Sequence, residues 1–205
     1  MLVRRLLVAL LALLGIAALA GGIGLRTVWL PDDEVRATFT TDEGAPVLVT
    51  APGVLETRPG PVTVEATTPD DAPVLLAIGR EGDVEAWVGE AAHTTLTQFT
   101  TEHTLTGETV EGEAEVPNPA GSDLWVQVED GEGTATLEYA ATGGSYVLLA
   151  ASDGAAPAPQ ELTLTWPHEV STPWSPPLIV LGALLVVGAA ALTVVLWRGS
   201  RAGRS

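Results

Sequence analysis

LIVLGALLVVGAAALTVVLW, residues Leu178–Trp197, runs twenty residues without a charge, and Arg198, Arg201 and Arg204 follow it. Twenty apolar residues rising 1.5 Å each cover about 30 Å, the thickness of a bilayer's hydrocarbon core. Lipid offers the backbone no hydrogen-bond partner, so such a segment must be helical. The stretch therefore reads as a transmembrane helix, and it constrains where the preceding residues lie.

A second uncharged run, Leu6–Leu25, follows the basic start Met1–Arg5 and ends at Arg26. Two readings compete. One is a retained membrane helix. The other is a secretory signal peptide, because Ala18-Leu19-Ala20 forms an A-x-A site before Gly21. The apolar run passes beyond that site to Leu25 and reaches full spanning length, which favours retention. Both readings put the following residues on the same side. Arg4 and Arg5 precede the first run, Arg198, Arg201 and Arg204 follow the last, and no basic residue lies between Arg80 and Arg198. By the positive-inside rule, residues 1–5 and 198–205 are expected to be cytoplasmic and the middle of the chain outside. Trp29, Trp174 and Trp197 fall where amphipathic indoles settle at membrane interfaces. Small residues recur four apart at Ala17/Gly21, Ala18/Gly22 and Ala20/Gly24, and Gly188–Ala191 forms a small patch. These suit helix packing or dimerisation, but Ala and Gly are also common in any membrane helix.

The charge distribution narrows the function. All nine basic residues are Arg, and all 26 acidic residues lie between Asp32 and Glu169. Only four arginines (Arg26, Arg36, Arg58 and Arg80) share residues 26–170 with them, which leaves that segment near −22. Such a surface repels nucleic acid, whose binding depends on neutralising phosphates. It also repels anionic lipid headgroups. With no cysteine, disulfides, thiol nucleophiles and Cys-zinc sites are excluded. The displayed region, about 140 residues, must then hold itself together with a hydrophobic core, for which it is long enough.

Between residues 26 and 170 the pattern is of short alternating runs broken by Gly, Pro and Asp, the signature of an all-β fold. Val62–Ala66, Ala135–Tyr139 and Leu162–Trp166 each alternate apolar and polar residues, as in antiparallel sheets with one solvated face. An antiparallel β-sandwich is expected. Strands are expected near 35–41, 46–50, 53–57, 62–68, 74–80, 84–89, 93–99, 109–116 and 161–166, with no helix. Leu124–Ser152 reads as a three-stranded meander, turning at Asp130–Gly133 and at Gly143-Gly144. Residues 171–177 form a Pro-rich linker. The short tethers predict that the domain stays close to the membrane. If both helices are retained, the first and last strands should lie side by side and antiparallel.

Catalytic signals are scarce. His93, His103 and His168 lack metal-site spacing, and no nucleophile-elbow, P-loop or dinucleotide fingerprint occurs. Carboxylates are too numerous to single out a pair, so no enzyme is expected. Calcium is the candidate ion, through acidic turns such as Asp130-Gly131-Glu132, Pro69-Asp70-Asp71 and Glu81-Gly82-Asp83. Acidic turns also simply solvate a surface. Trp87 and Trp125 are the candidate ligand-binding residues. At a strand's period of two, Trp87 shares a face with Glu85, and Trp125 with Gln127 and Glu129, so both would stand on polar faces. An exposed indole there grips a sugar or a protein; covered by a neighbouring segment, it is core.

Ala77–Arg80 together with Asp83–Gly89, set in this overall layout, resembles actinobacterial membrane-anchored extracytoplasmic proteins of uncharacterised activity. The resemblance implies a β-rich extracytoplasmic domain and transfers no functional residue. The expectation is a non-catalytic binding or scaffold module in the cell envelope, accessory to another envelope protein and held in the lipid bilayer. The alternative is a receptor or adhesin for wall polysaccharide. An envelope hydrolase ranks last.

Overall fold

The computed structural model describes residues 2–30, 32–41, 44–99, 104–141, 143–154 and 156–202. The chain divides into two compact units, one made of Met1–Asp32 with Glu169–Ser205, the other of Asp33–His168.

The second unit is rich in β-strands. They are β1 (Glu34–Thr40), β2 (Val47–Thr50), β3 (Val62–Thr67), β4 (Pro73–Arg80), β5 (His93–Phe99), β6 (Leu105–Val110), β7 (Trp125–Glu132), β8 (Thr134–Tyr139), β9 (Tyr146–Ala151) and β10 (Glu161–Pro167). One sheet has the order β1-β10-β3-β8 and the other β6-β5-β2-β9-β4-β7. Their facing sides share one core, in which Trp166, Leu76, Ile78, Leu137, Leu148 and Leu164 are fully buried. The Trp166 indole also donates a hydrogen bond to the Leu55 carbonyl, 3.0 Å away. Strands β3 and β8 alternate buried and open positions, as their sequences predict. The first and last strands do pair antiparallel, in register from Glu34↔Pro167 to Thr40↔Glu161. The His168 N–H then bonds the Asp33 carbonyl, so the chain enters and leaves this unit at neighbouring points.

The arrangement is sandwich-like but neither purely all-β nor purely antiparallel. Strands β2 and β5 pair in parallel. Between β4 and β5 lies a helix, α2 (Glu81–Val88), where a strand over 84–89 is expected. In the six-stranded sheet β4 and β5 run in the same direction with two strands between them, so α2 is the crossover of a β-α-β connection. The helix has good local reasons to form. Glu81 and Asp83 occupy its first turn, where negative charge meets the positive end of the helix dipole. Gly89, at φ +56°, ends it by bonding the Glu85 carbonyl.

The meander is also overturned. β7 and β9 lie in the six-stranded sheet with β4 between them, while β8 belongs to the other sheet. The two glycine turns are real, with Gly133 at φ +72° and Gly143 and Gly144 at φ +87° and +106°. They carry the chain from one sheet to the other instead of folding hairpins. The segment 53–57 is a series of turns begun by Gly53 at φ +83°, and it delivers Val54 and Leu55 into the core. The strand expected near 109–116 lies earlier, at 105–110. Beyond it Glu113 makes an isolated bridge with Ala91.

The other unit pairs α1 (Leu2–Thr27) with α3 (Ser175–Ala202). Pro176 and Pro177 belong to the first turn of α3, where proline's missing N–H costs nothing, so the helix starts earlier than the linker reading allows. Both helices are long and apolar enough to cross a membrane, and each is mostly unburied. Buried or half-buried positions repeat at Leu11, Gly15, Ala18 and Gly22 on α1. On α3 they repeat at Ser175, Ile179, Gly182, Val186 and Ala189. This spacing of three and four is the period of a left-handed helix pair. A Cβ on Gly182 would stand 2.7 Å from the Gly15 carbonyl oxygen, so glycine is required at that approach. The Ser175 hydroxyl bonds the Gly22 carbonyl at 2.6 Å. Of the small pairs in α1, Ala18/Gly22 faces α3, whereas Ala17 and Ala20 are exposed. Gly188 and Ala191 are exposed as well, and only Ala189 of that patch is buried.

Candidate functional site

Sequence reasoning places Trp87 and Trp125 on separate polar faces; the structure brings them together on an apolar one. Their rings stand edge to face, with centroids 5.5 Å apart and planes at 67°. Both belong to a second apolar cluster with Leu75, Ala77, Val84, Val88 and Leu149. This cluster lies on the side of the six-stranded sheet turned away from the central core.

Each tryptophan arrives there for a definable reason. In a helix, Val84, Trp87 and Val88 stand at i, i+3 and i+4 and share one face, so α2 turns Trp87 toward the sheet. For Trp125 the cause is a bulge. Ile78 pairs with Gln127 but Gly79 pairs with Trp125, which leaves Val126 as an extra residue. The bulge resets the alternation, so Trp125 joins the face of Ala77 instead of the face of Gln127 and Glu129. Gly79 makes room for it. A Cβ there would lie 2.6 Å from Val84 Cγ2 and 3.1 Å from the Trp125 ring. An isolated glycine in an apolar strand signals a bulge or a close approach, and Gly79 was the available clue.

The segment after β6 covers part of this face. Glu113 is pinned by backbone bonds to Glu90 and Ala92, and Val116 by one to Gly154. Val116 packs on the cluster, and the Pro119 carbonyl accepts the Trp125 indole N–H at 2.9 Å. Cover is incomplete. Trp87 and Trp125 stay half-buried. On the adjoining edge strand, Val126 is 53% and Val128 38% exposed. Val128 pairs with Ala77 and so lies on the same face as the cluster. Neither valine was singled out from sequence.

Asp130 and Glu132 continue along β7 as exposed strand residues, where a turn is expected. A Ca²⁺ site would need six to eight oxygens. Among the described residues, no three or more His, Asp or Glu side chains gather at one point. Glu81 and Asp83 lie in α2 instead of a loop, with Glu81 accepting a 2.6 Å bond from the Ser145 hydroxyl. His93 bonds the Ala91 carbonyl through Nδ1 at 2.8 Å, and His168 is exposed. Glu102 and His103 lie outside the described residues. Burial raises the Tyr139 phenol above its usual range, with Glu56 and Tyr146 adding to the shift.

In the helical unit, Trp29, Trp174 and Trp197 are all exposed, and Trp29 folds back over Gly24. Arg4, Arg5 and Arg198 are exposed. Arg201 falls within α3, its side chain outside what is described, and Arg204 lies outside the described residues. No family model and no curated protein sequence matches this chain. Two apolar helices flanking a β-rich domain are compatible with a two-pass membrane protein.

Proposed function

We propose that the chain is a two-pass protein with both termini cytoplasmic, whose β domain serves outside the membrane as a docking module for another envelope protein and carries out no chemistry. The observation that carries this reading is the incompletely covered apolar face around Trp87, Trp125, Val126 and Val128. Half-buried aromatics beside exposed aliphatics, in an otherwise strongly acidic domain, are the composition of a protein-binding anchor. The arginine distribution supports the orientation. The packing of α1 on α3 through Gly15, Gly22 and Gly182 supports retention of the first helix over cleavage after Ala20.

A wall-polysaccharide receptor is the second reading, carried by the same two tryptophans. Sugar stacking favours an open indole face, whereas here the rings meet at 67° and Trp125 is tied to Pro119. The protein-docking reading therefore ranks first. The test is a photo-crosslinking residue placed at Val126 or Val128 in living cells, with Glu65, exposed on the opposite sheet, as control. One dominant envelope protein captured at the valines and not at Glu65 is the expected result. Equal capture at all three positions removes the docking face. Retention in the wall fraction that Trp87→Ala abolishes would transfer the site to polysaccharide.

A further inference from the structure

Between α1 and α3, at the arginine-bearing end of the pair, a cleft of about 960 Å³ opens. Arg4, Arg5, Ala9, Ala12, Ala190 and Thr193 are among its walls. We propose that this cleft holds one anionic glycerophospholipid, its phosphate on Arg4 and Arg5 and the upper part of an acyl chain between the helices. The inference rests on the reading of α1 as a retained membrane helix.

The cleft exists because of where the small residues fall. Glycines at 15, 22 and 182 hold the helices in backbone contact through the middle and toward the Trp29 end. Toward Arg4, Ala9, Ala12, Ala189 and Ala190 line the cleft among larger residues such as Val8 and Leu196, and their short methyl groups leave part of the space between the helices unfilled. The volume is at the upper end for small-molecule sites, which run to roughly 1,000 Å³. From Arg4 to Ala12 the wall is about 12 Å deep at 1.5 Å per residue, reaching well into the hydrocarbon layer. Its surface suits an acyl chain. The Thr193 hydroxyl on its wall is already bonded to the Ala189 carbonyl at 2.8 Å.

Charge selects the headgroup. No acidic residue occurs before Asp32 or after Glu169, so no side chain of this unit neutralises Arg4 and Arg5 at that end. Basic residues at the cytoplasmic mouth of a cleft between membrane helices suit an anionic headgroup. A parallel second copy fits the cleft less well, because it would bring the same arginines to the same end. Trp197 also lines the cleft, consistent with its mouth lying at the membrane interface.

Native mass spectrometry of the full chain in a mild non-ionic detergent tests this. The probes are phosphatidylglycerol and phosphatidylcholine with identical acyl chains, supplied in equal amounts. The expected result is one retained phosphatidylglycerol, preferred on the order of ten-fold. Arg4→Gln with Arg5→Gln should bring the preference near parity. Ala9→Leu with Ala190→Leu keeps every charge, narrows the cleft between the helices, and should lose the retained lipid. Parity in the unaltered protein overturns the proposal. So does a preference that survives the leucine variant, since loose surface attraction would then explain it. A dimer without lipid would assign the cleft to a second copy. A chain whose mass begins after Ala20 would remove the retained-helix reading itself, and the mass alone tells that failure from the others.

Discussion

The six-stranded sheet has apolar side chains on both faces, but the two faces are finished differently. The inner one meets a whole second sheet and leaves Trp166, Leu76 and Leu148 fully buried. The outer one is roofed by a helix of two turns and by the segment between β6 and β7, which leave Trp87 and Trp125 half-buried and Val126 and Val128 open. This explains why β4 and β9 are buried almost end to end while β3 and β8 alternate. Strands covered on both sides lose the period-two signal. It also separates two uses of hydrophobicity. The inner core specifies the fold, whereas the outer layer has apolar surface beyond what its cover hides.

If that contrast is sound, equivalent truncations on the two faces must differ. Trp166→Ala should cost about 3–5 kcal/mol, since it empties a closed site and orphans the Leu55 carbonyl. Trp87→Ala should cost only about 1–2 kcal/mol, a partial burial term plus the edge-to-face contact with Trp125. Urea unfolding of both variants measures the gap, and equal losses would make the outer layer a second full core. Next in size is Gly79→Ala. Its Cβ would collide with Val84 and the Trp125 ring, an overpacking cost of about 1–3 kcal/mol. Near-ultraviolet circular dichroism should register the displaced indoles. An unchanged spectrum and stability would mean that α2 yields freely.

The inner core has one flaw, and it sets a smaller prediction. The Tyr139 hydroxyl is buried without a hydrogen-bond partner among the described residues. Tyr139→Phe should therefore stabilise the domain by about 1 kcal/mol. It should also flatten the alkaline limb of the stability profile. The native phenol is held above its ordinary value of 10.0. As pH passes that value, the unfolded chain releases the proton that the folded one keeps, and the stability present at lower pH falls. Denaturation midpoints between pH 8 and pH 11 should fall less steeply for the variant, and parallel curves would exonerate this phenol.

How much of this was written locally differs between segments. The alternating runs of β3, β8 and β10 announce strands and inward faces directly. The neighbouring first and last strands follow from a chain expected to enter and leave on the same side. By contrast, EGDVEAWV satisfies two periods at once: Val84/Ala86/Val88 for a strand and Val84/Trp87/Val88 for a helix. The decision falls to the acidic first turn and the Gly89 cap. The glycine turns flanking β8 were identifiable as turns, but a tight turn does not state whether the next strand joins the same sheet or crosses to the other. That is decided by long-range packing. The tryptophan pair was half legible. Both residues attracted notice, but a helix and a bulge redirected them, and the exposed valines gained meaning only once the face was assembled.

The smallest expected effect on stability is the sharpest on function. Val126→Thr with Val128→Thr keeps the β-branched shape that suits an edge strand and replaces one methyl at each site by a hydroxyl that water can satisfy. Both residues are well exposed, so folding free energy should move by no more than about 0.5 kcal/mol. If the outer face is an anchor, the same exposure means that these methyl groups are desolvated on docking, not on folding. Capture of the envelope partner through a crosslinker at a neighbouring position such as Asp130 should then fall several-fold while the unfolding midpoint holds. A drop in stability of several kcal/mol would show instead that the valines are buried in the working protein. Unchanged capture would confine docking to the tryptophans, or to a different face altogether. Stability and binding are thus expected to separate on the outer face, whereas in the Trp166 core a substitution reaches binding only through unfolding.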